Sequence, residues 1–225
     1  MTAWLCLLAV ALCDDPTMVP LLGTLPEDGR WAKYNLRVQA ANQDQTMTWT
    51  VRSVGQFQQG GRDVRCIETE IAAGNGDIPP AVHRMLVPLD AFGPNKHALG
   101  QTVRMWKREG TNAVESFDSI TGDPITALFL VGATENVRKL EQKEAIDWQR
   151  GKLACDVFTG KSTQMIGDGK FHMTWTILRH QEVPFGLAGL RMKITIEDQP
   201  DSIDVTLTLQ DFGKDAKAAL PELTP

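Results

Sequence analysis

The sequence predicts a mainly β fold, a large curved antiparallel sheet or incomplete barrel with a few short helices. Three observations predict it. Apolar residues recur at every second position in Phe171-x-Met173-x-Trp175-x-Ile177, in Leu190-x-Met192-x-Ile194-x-Ile196 and in Ile203-x-Val205-x-Leu207-x-Leu209, with polar residues between them. That period of two belongs to strands with one buried and one wet face, hence to an antiparallel sheet. The same period appears early, in Tyr34-x-Leu36-x-Val38-x-Ala40 and Met47-x-Trp49-x-Val51, and turn-forming residues punctuate the runs. Helical periodicity is scarce.

In chain order, Met1 to Cys13 carry no charged side chain and break at Asp14-Asp15-Pro16. So short an apolar run falls well below the roughly 20 residues that a membrane span needs, and its pattern is that of an export signal. Ala9-Val10-Ala11 offers the small-x-small spacing for cleavage after Ala11, with cleavage after Cys13 as the alternative. Val10-Ala11-Leu12-Cys13 also resembles a lipidation motif on Cys13, although Leu12 stands where that motif wants a small residue. The expected layout is a signal over 1–13, a lead-in over 14–28, a single β half-barrel domain over 29–212 and a tail over 213–225.

Tyr34 to Ala40 and Met47 to Val51 form a hairpin about Asn42-Gln43-Asp44-Gln45; Gly60-Gly61 then turns the chain into a third strand, Val64 to Ile71. Ala73-Gly74-Asn75-Gly76-Asp77 reads as a flexible turn, since it does not lead from a strand into a helix as a phosphate loop does. After Pro79-Pro80, Ala81 to Leu86 either starts a helix with proline in its first turn or forms a short strand ending at Pro88, the short helix or an irregular piece being the preferred reading. Ile125 to Val131 is a buried strand or a turn of core helix. Glu144 to Trp148 and Leu153 to Thr159 flank Gln149-Arg150-Gly151 as a further hairpin, and Ala216 to Leu220 supports at most one or two helical turns.

Net charge is −5 and the charges are interspersed, so no basic stripe marks a nucleic-acid-binding surface. The histidines, His83, His97, His172 and His180, stand singly without metal-ligand spacing, and the serines lie in no nucleophile elbow. The pairs Glu68/Glu70 and Asp198/Asp201 lack the spacing of a calcium loop and are expected in solvated turns. No catalytic residue, metal ligand or cofactor is assigned. Cys66 and Cys155, both in strand-like stretches, either pair in an oxidising compartment or pack separately as small hydrophobes.

The remaining constellation is apolar. Trp49, Phe171, Met173, Trp175, Leu190 and Met192 fall on the inward sheet face, where flexible methionines beside flat rings suit an adaptable ligand pocket or an ordinary core. As a pocket, it predicts that Trp175→Ala lowers ligand occupancy without unfolding.

Three stretches carry a resemblance. Glu144-Ala-Ile-Asp-Trp-Gln-Arg-Gly151-Lys-Leu-Ala-Cys155-Asp-Val-Phe-Thr-Gly160, Val183-Pro-Phe-Gly186-Leu-Ala-Gly-Leu190 and Gly29-Arg-Trp31-Ala-Lys-Tyr34 resemble segments of bacterial envelope proteins similar to lipoprotein-localisation factors. The resemblance implies an incomplete antiparallel barrel closed over by a few helices, able in some members to hold an acyl chain, with no catalytic residues. The expected function is therefore that of an exported, noncatalytic protein of the bacterial envelope, periplasmic or secreted, or anchored through Cys13. It would bind a lipid or lipoprotein-type ligand on the concave face, with no nucleic-acid partner and no transmembrane span. The alternatives are an assembly protein that contacts an envelope protein and holds no small ligand, and a hydrolase without a recognisable motif.

Overall fold

The computed structural model describes residues 16–41, 43–74, 79–93, 95–117, 132–166 and 168–221. The signal segment with Cys13, and Ile125 to Val131, lie outside them. The described residues form twelve strands in one antiparallel sheet: β1 (Trp31–Ala40), β2 (Gln43–Gln59), β3 (Arg62–Ala73), β4 (Ala81–Pro88), β5 (Arg104–Glu109), β6 (Glu115–Phe117), β7 (Glu135–Lys139), β8 (Glu144–Trp148), β9 (Gly151–Ile166), β10 (Gly169–Arg179), β11 (Leu187–Ile196) and β12 (Ser202–Gly213). Their order across the sheet is β6-β5-β4-β3-β2-β1-β12-β11-β10-β9-β7, with β8 also on β9, so the sheet is open and not a closed barrel. Helix among the described residues is limited to single 3₁₀ turns at Leu89–Ala91, Leu99–Gln101 and Pro184–Gly186.

The expected hairpins form, at tighter turns than the composition suggests. β2 begins at Gln43, inside the anticipated Asn42 to Gln45 turn, because Ala40 pairs with Gln43. Gly60 and Gly61 both take positive φ, which glycine adopts without steric cost, and hand β2 on to β3. In the expected β8–β9 hairpin Trp148 pairs with Gly151.

Ala81 to Leu86 is not helical. It is the centre of β4, hydrogen-bonded to β3 on one side and β5 on the other and buried along nearly its whole length. A strand covered on both faces carries apolar residues without alternation, so periodicity could not identify it. Ala216 to Leu220 is likewise not helical but an irregular strap, bent at Ala219 and Leu220, lying on the sheet. Glu68 and Glu70 lie in β3, not in a turn, where they face Arg84 and Arg52 as ion pairs of 2.6 and 2.5 Å.

Pleat parity on β3, β4 and β5 separates two apolar clusters. Ile67, Met85 and Met105 point into the main core, whereas Val64, Cys66, Val82, Leu86 and Trp106 point the other way and meet Leu220 of the strap. The main core is the inward face of the sheet, built from laddered neighbours such as Ile177, Leu190, Leu207, Leu36 and Met47.

The lead-in covers this face. Val19, Leu21 and Leu22 are buried in the main core, joined by Leu99, Val183 and Phe185 from the connecting turns. Thr17 N donates to Asn95 Oδ1 (3.0 Å), in the turn after β4, and Val19 N donates to Ala133 O (2.9 Å), just before β7. Two residues of chain reach about 7 Å, so the turn after β4 and the chain entering β7 come within roughly 13 Å of each other. A flat sheet would hold β4 and β9 about 34 Å apart at a strand spacing of about 4.8 Å. The sheet is therefore strongly curled around its apolar face.

Candidate functional site

Among the described residues a cleft of about 790 Å³ opens between the lead-in, the turn after β4 and the ends of β9 and β10. Met18, Leu25, Phe92 and Phe158 supply apolar wall, and Lys143, Asp156, Arg179 and His180 supply polar groups. Its position follows from the pleat. Along β10 the inward positions run Met173, Trp175, Ile177, Arg179; on β9, Phe158 lies opposite Ile177 and Asp156 opposite Arg179. The first part of this row is closed core. The last turns from apolar to charged and lines the cleft.

Arg179 fastens the lead-in there. Its guanidinium donates to Pro20 O and, at 3.3 Å, to Phe185 O, while Gly23 N donates to Phe185 O (3.0 Å). A side chain at position 23 would meet the guanidinium at 3.0 Å, so Gly23 is what allows the close approach. Burial lowers the Arg179 pKa to about 10, with nearby Tyr34 opposing the shift, so the group stays charged at neutral pH. Tyr34, buried beside it, donates to Leu187 O (2.7 Å), and burial pushes its phenol well above the ordinary range. On the cleft wall, hydrogen bonds from Lys139 and Lys143 hold the Asp156 carboxyl below its usual range. The site therefore combines apolar wall with fixed charge.

The six residues expected as a ligand pocket lie elsewhere. Trp49, Met173, Trp175, Leu190 and Met192 are buried in the main core and Phe171 packs against it half-buried; none lines the cleft. Trp175 is 0% exposed and its Nε1 donates to Ser162 Oγ (2.7 Å), a satisfied core position. Sequence reasoning missed Phe158, Asp156, Lys143 and Arg179. The signal was present in β9 and β10, whose alternation continues past the apolar stretch into charged residues.

Cys66 and Cys155 are free thiols in separate clusters, so the structure contains no disulfide between them. Burial pushes Cys66 up to about 12 and Cys155 up to about 11, from 9. The folded state thus favours the protonated thiols. Their contribution is fully present below pH 9 and is lost as pH rises towards 11 and 12, at up to about 1 kcal/mol per pH unit for each thiol. Urea unfolding in reducing buffer is expected to show stability falling steeply between pH 9 and 11, and a Cys66→Ala/Cys155→Ala variant is expected to flatten that decline.

The histidines do not converge. His172 is exposed on β10, its Nδ1 3.4 Å from Thr163 Oγ1, whereas His180 lies at the cleft. Among the described residues no group of three or more His, Cys, Asp or Glu could hold a metal ion, and no helix is long and apolar enough to cross a membrane.

No family model matches the chain, and no curated protein matches it. Solved structures with a similar course include a chain from Bacteroides fragilis described as a candidate exported protein with a YmcC-like fold. It has 8% identity and a TM-score of 0.42 over 85% of this chain and 99% of that one. Another, described as a candidate lipoprotein from Parabacteroides distasonis, has 8% identity and a TM-score of 0.41 over 86% and 99%. At such distance the chemistry of this chain rests on its own residues.

Proposed function

We propose that the protein is an exported, noncatalytic binding protein of the bacterial envelope that holds an apolar, lipid-type ligand in the cleft beside β9 and β10. The observation that carries this reading is the cleft itself. Its volume of about 790 Å³ falls within the roughly 300–1,000 Å³ usual for ligand sites, and apolar wall meets a few fixed polar groups there. Binding would be noncovalent: Met18, Leu25, Phe92 and Phe158 would remove acyl surface from water at about 25 cal/mol per Å². Lys143 and Arg179 would orient a polar or acidic head. The apolar run before Asp14 and the three envelope-type motifs support the location. The three motifs lie at the β8–β9 hairpin, the 184–186 turn and the start of β1.

Native mass spectrometry and organic extraction of the purified protein test the reading. A lipid is expected, with occupancy at least tenfold lower in Phe158→Asp and an unfolding midpoint little changed. Extraction that yields no lipid, together with cross-linking that recovers a protein partner, would favour an assembly role instead.

A further inference from the structure

The strap over residues 216–221 is held in an unusual way. Glu68 and Arg84 sit opposite each other on β3 and β4, facing away from the main core, with side chains 0% and 8% exposed. Arg84 donates to Glu68 Oε1 through Nε (2.8 Å) and Nη2 (2.6 Å). Both then turn to the strap's backbone. Ala219 N donates to Glu68 Oε2 (2.6 Å) and Leu220 N to Glu68 Oε1 (3.2 Å). Leu220 O accepts from Arg84 Nη2 (2.6 Å), Pro221 O from Arg84 Nη1 (2.7 Å) and Ala219 O from Arg108 Nη2 (3.1 Å). Every main-chain donor and acceptor of Ala219, Leu220 and Pro221 is thus engaged by a side chain of the sheet; Pro221 has no N–H to satisfy.

A buried ion pair is a costly way to hold a sheet together, because desolvation offsets its attraction unless the remaining valences are filled. Here a peptide backbone fills them. The strap adds one buried side chain, Leu220, which is 2% exposed among Val64, Cys66, Val82, Leu86 and Trp106. Backbone-directed hydrogen bonds plus one side-chain pocket are usual ingredients of peptide recognition. The junction allows exchange: Ala216 N donates to Gly29 O (2.8 Å), fixing the chain up to that point, and Asp215 takes a left-handed φ of 64° just before it. Residues beyond could leave without disturbing β12.

We infer that the outer face of β3, β4 and β5 is a peptide-binding site, filled in this chain by its own Ala219-Leu220-Pro221. The site accepts a bent segment in which a small residue and a leucine precede a proline. It is separate from the lipid-type cleft, and either can fail without the other.

The test uses the full chain and a fluorescent peptide of the sequence 214–221. Cys66, beneath the strap, reports its docking through alkylation, and Cys155 in the main core reports the fold. In Leu220→Asp, Cys66 is expected to react at least tenfold faster than in the parent while Cys155 stays slow. The peptide is expected to bind this variant at least tenfold more tightly than the parent and to restore Cys66 protection. The same peptide with its leucine replaced by aspartate is expected to do neither. If Cys66 stays slow in the variant, Leu220 is not the anchor and the proposal fails. If Cys66 becomes reactive and the peptide neither binds nor protects, the strap is fixed packing and the proposal fails equally. Should both thiols react, showing an unfolded variant, Leu220→Ala carries the same comparison with the same outcomes.

Discussion

Replacing Glu68 with alanine is expected to lower the thermal unfolding midpoint by on the order of 10 °C. The carboxylate is fully buried and partners both Arg84 and two strap amides. Its removal leaves a guanidinium facing an apolar cluster with no counter-charge, a loss of about 3–5 kcal/mol for a broken buried pair. At about 2–4 °C per kcal/mol for a chain of this size, that is the expected shift. Replacing both partners, as Glu68→Leu with Arg84→Met, is expected to recover much of the loss, since no charge is then stranded. Urea and thermal unfolding of the two variants check this. A loss below about 1 kcal/mol for Glu68→Ala would mean that water reaches Arg84 freely once the carboxylate has gone.

Trp175→Ala is expected to act on stability, by about 3–5 kcal/mol, as is usual when a large aromatic is removed from a packed core. Trp175 is 0% exposed, and its loss leaves a cavity between Gly160 and Met192 and strips Ser162 Oγ, itself buried, of its donor. Trp175→Phe fills most of the space and should cost roughly 1–3 kcal/mol, chiefly for the unsatisfied hydroxyl. Chemical unfolding of the pair gives the comparison, with Phe158→Asp as the contrasting cleft variant. If Trp175→Ala instead kept the parent midpoint and lost bound lipid, the ligand would lie on the central sheet face and not in the cleft.

The difference between Trp175 and Phe158 shows how far the sequence could be read. Alternation identified β1, the start of β2 and the three C-terminal strands, and with them the inward face. It could not say what covers that face, because the cover is a lead-in without periodicity: Val19, Leu21 and Leu22 belong to the short apolar pairs Met18-Val19 and Leu21-Leu22, set off by Pro20 and Gly23. Hence an apolar stripe that suited a pocket became core, and the opening moved along the same strands to where β10 reaches Arg179. β4 was ambiguous between a helix start and a short strand ending at Pro88 for a related reason. Its outward face is covered by the strap, a contact across more than a hundred residues of chain that local pattern cannot contain. Short polar strands such as β5 and β7 gave no run long enough to show a period.

An open sheet of twelve strands also has two rims where hydrogen-bonding groups face outward, and such rims invite neighbouring molecules to add strands. Both rims of this one are poor templates. Among the described residues, β6 on one side is only three residues long. On the other, β7 and β8 follow β9 as two five-residue pieces broken at 140–143, and β7 carries Glu135, Arg138 and Lys139 in exposed positions. A copy docking there would find a short, charged and interrupted ladder. The curl thus leaves the sheet unclosed without making it a seed for fibre growth, and the protein should stay dispersed at concentrations where a flat sheet with long apolar rims would aggregate.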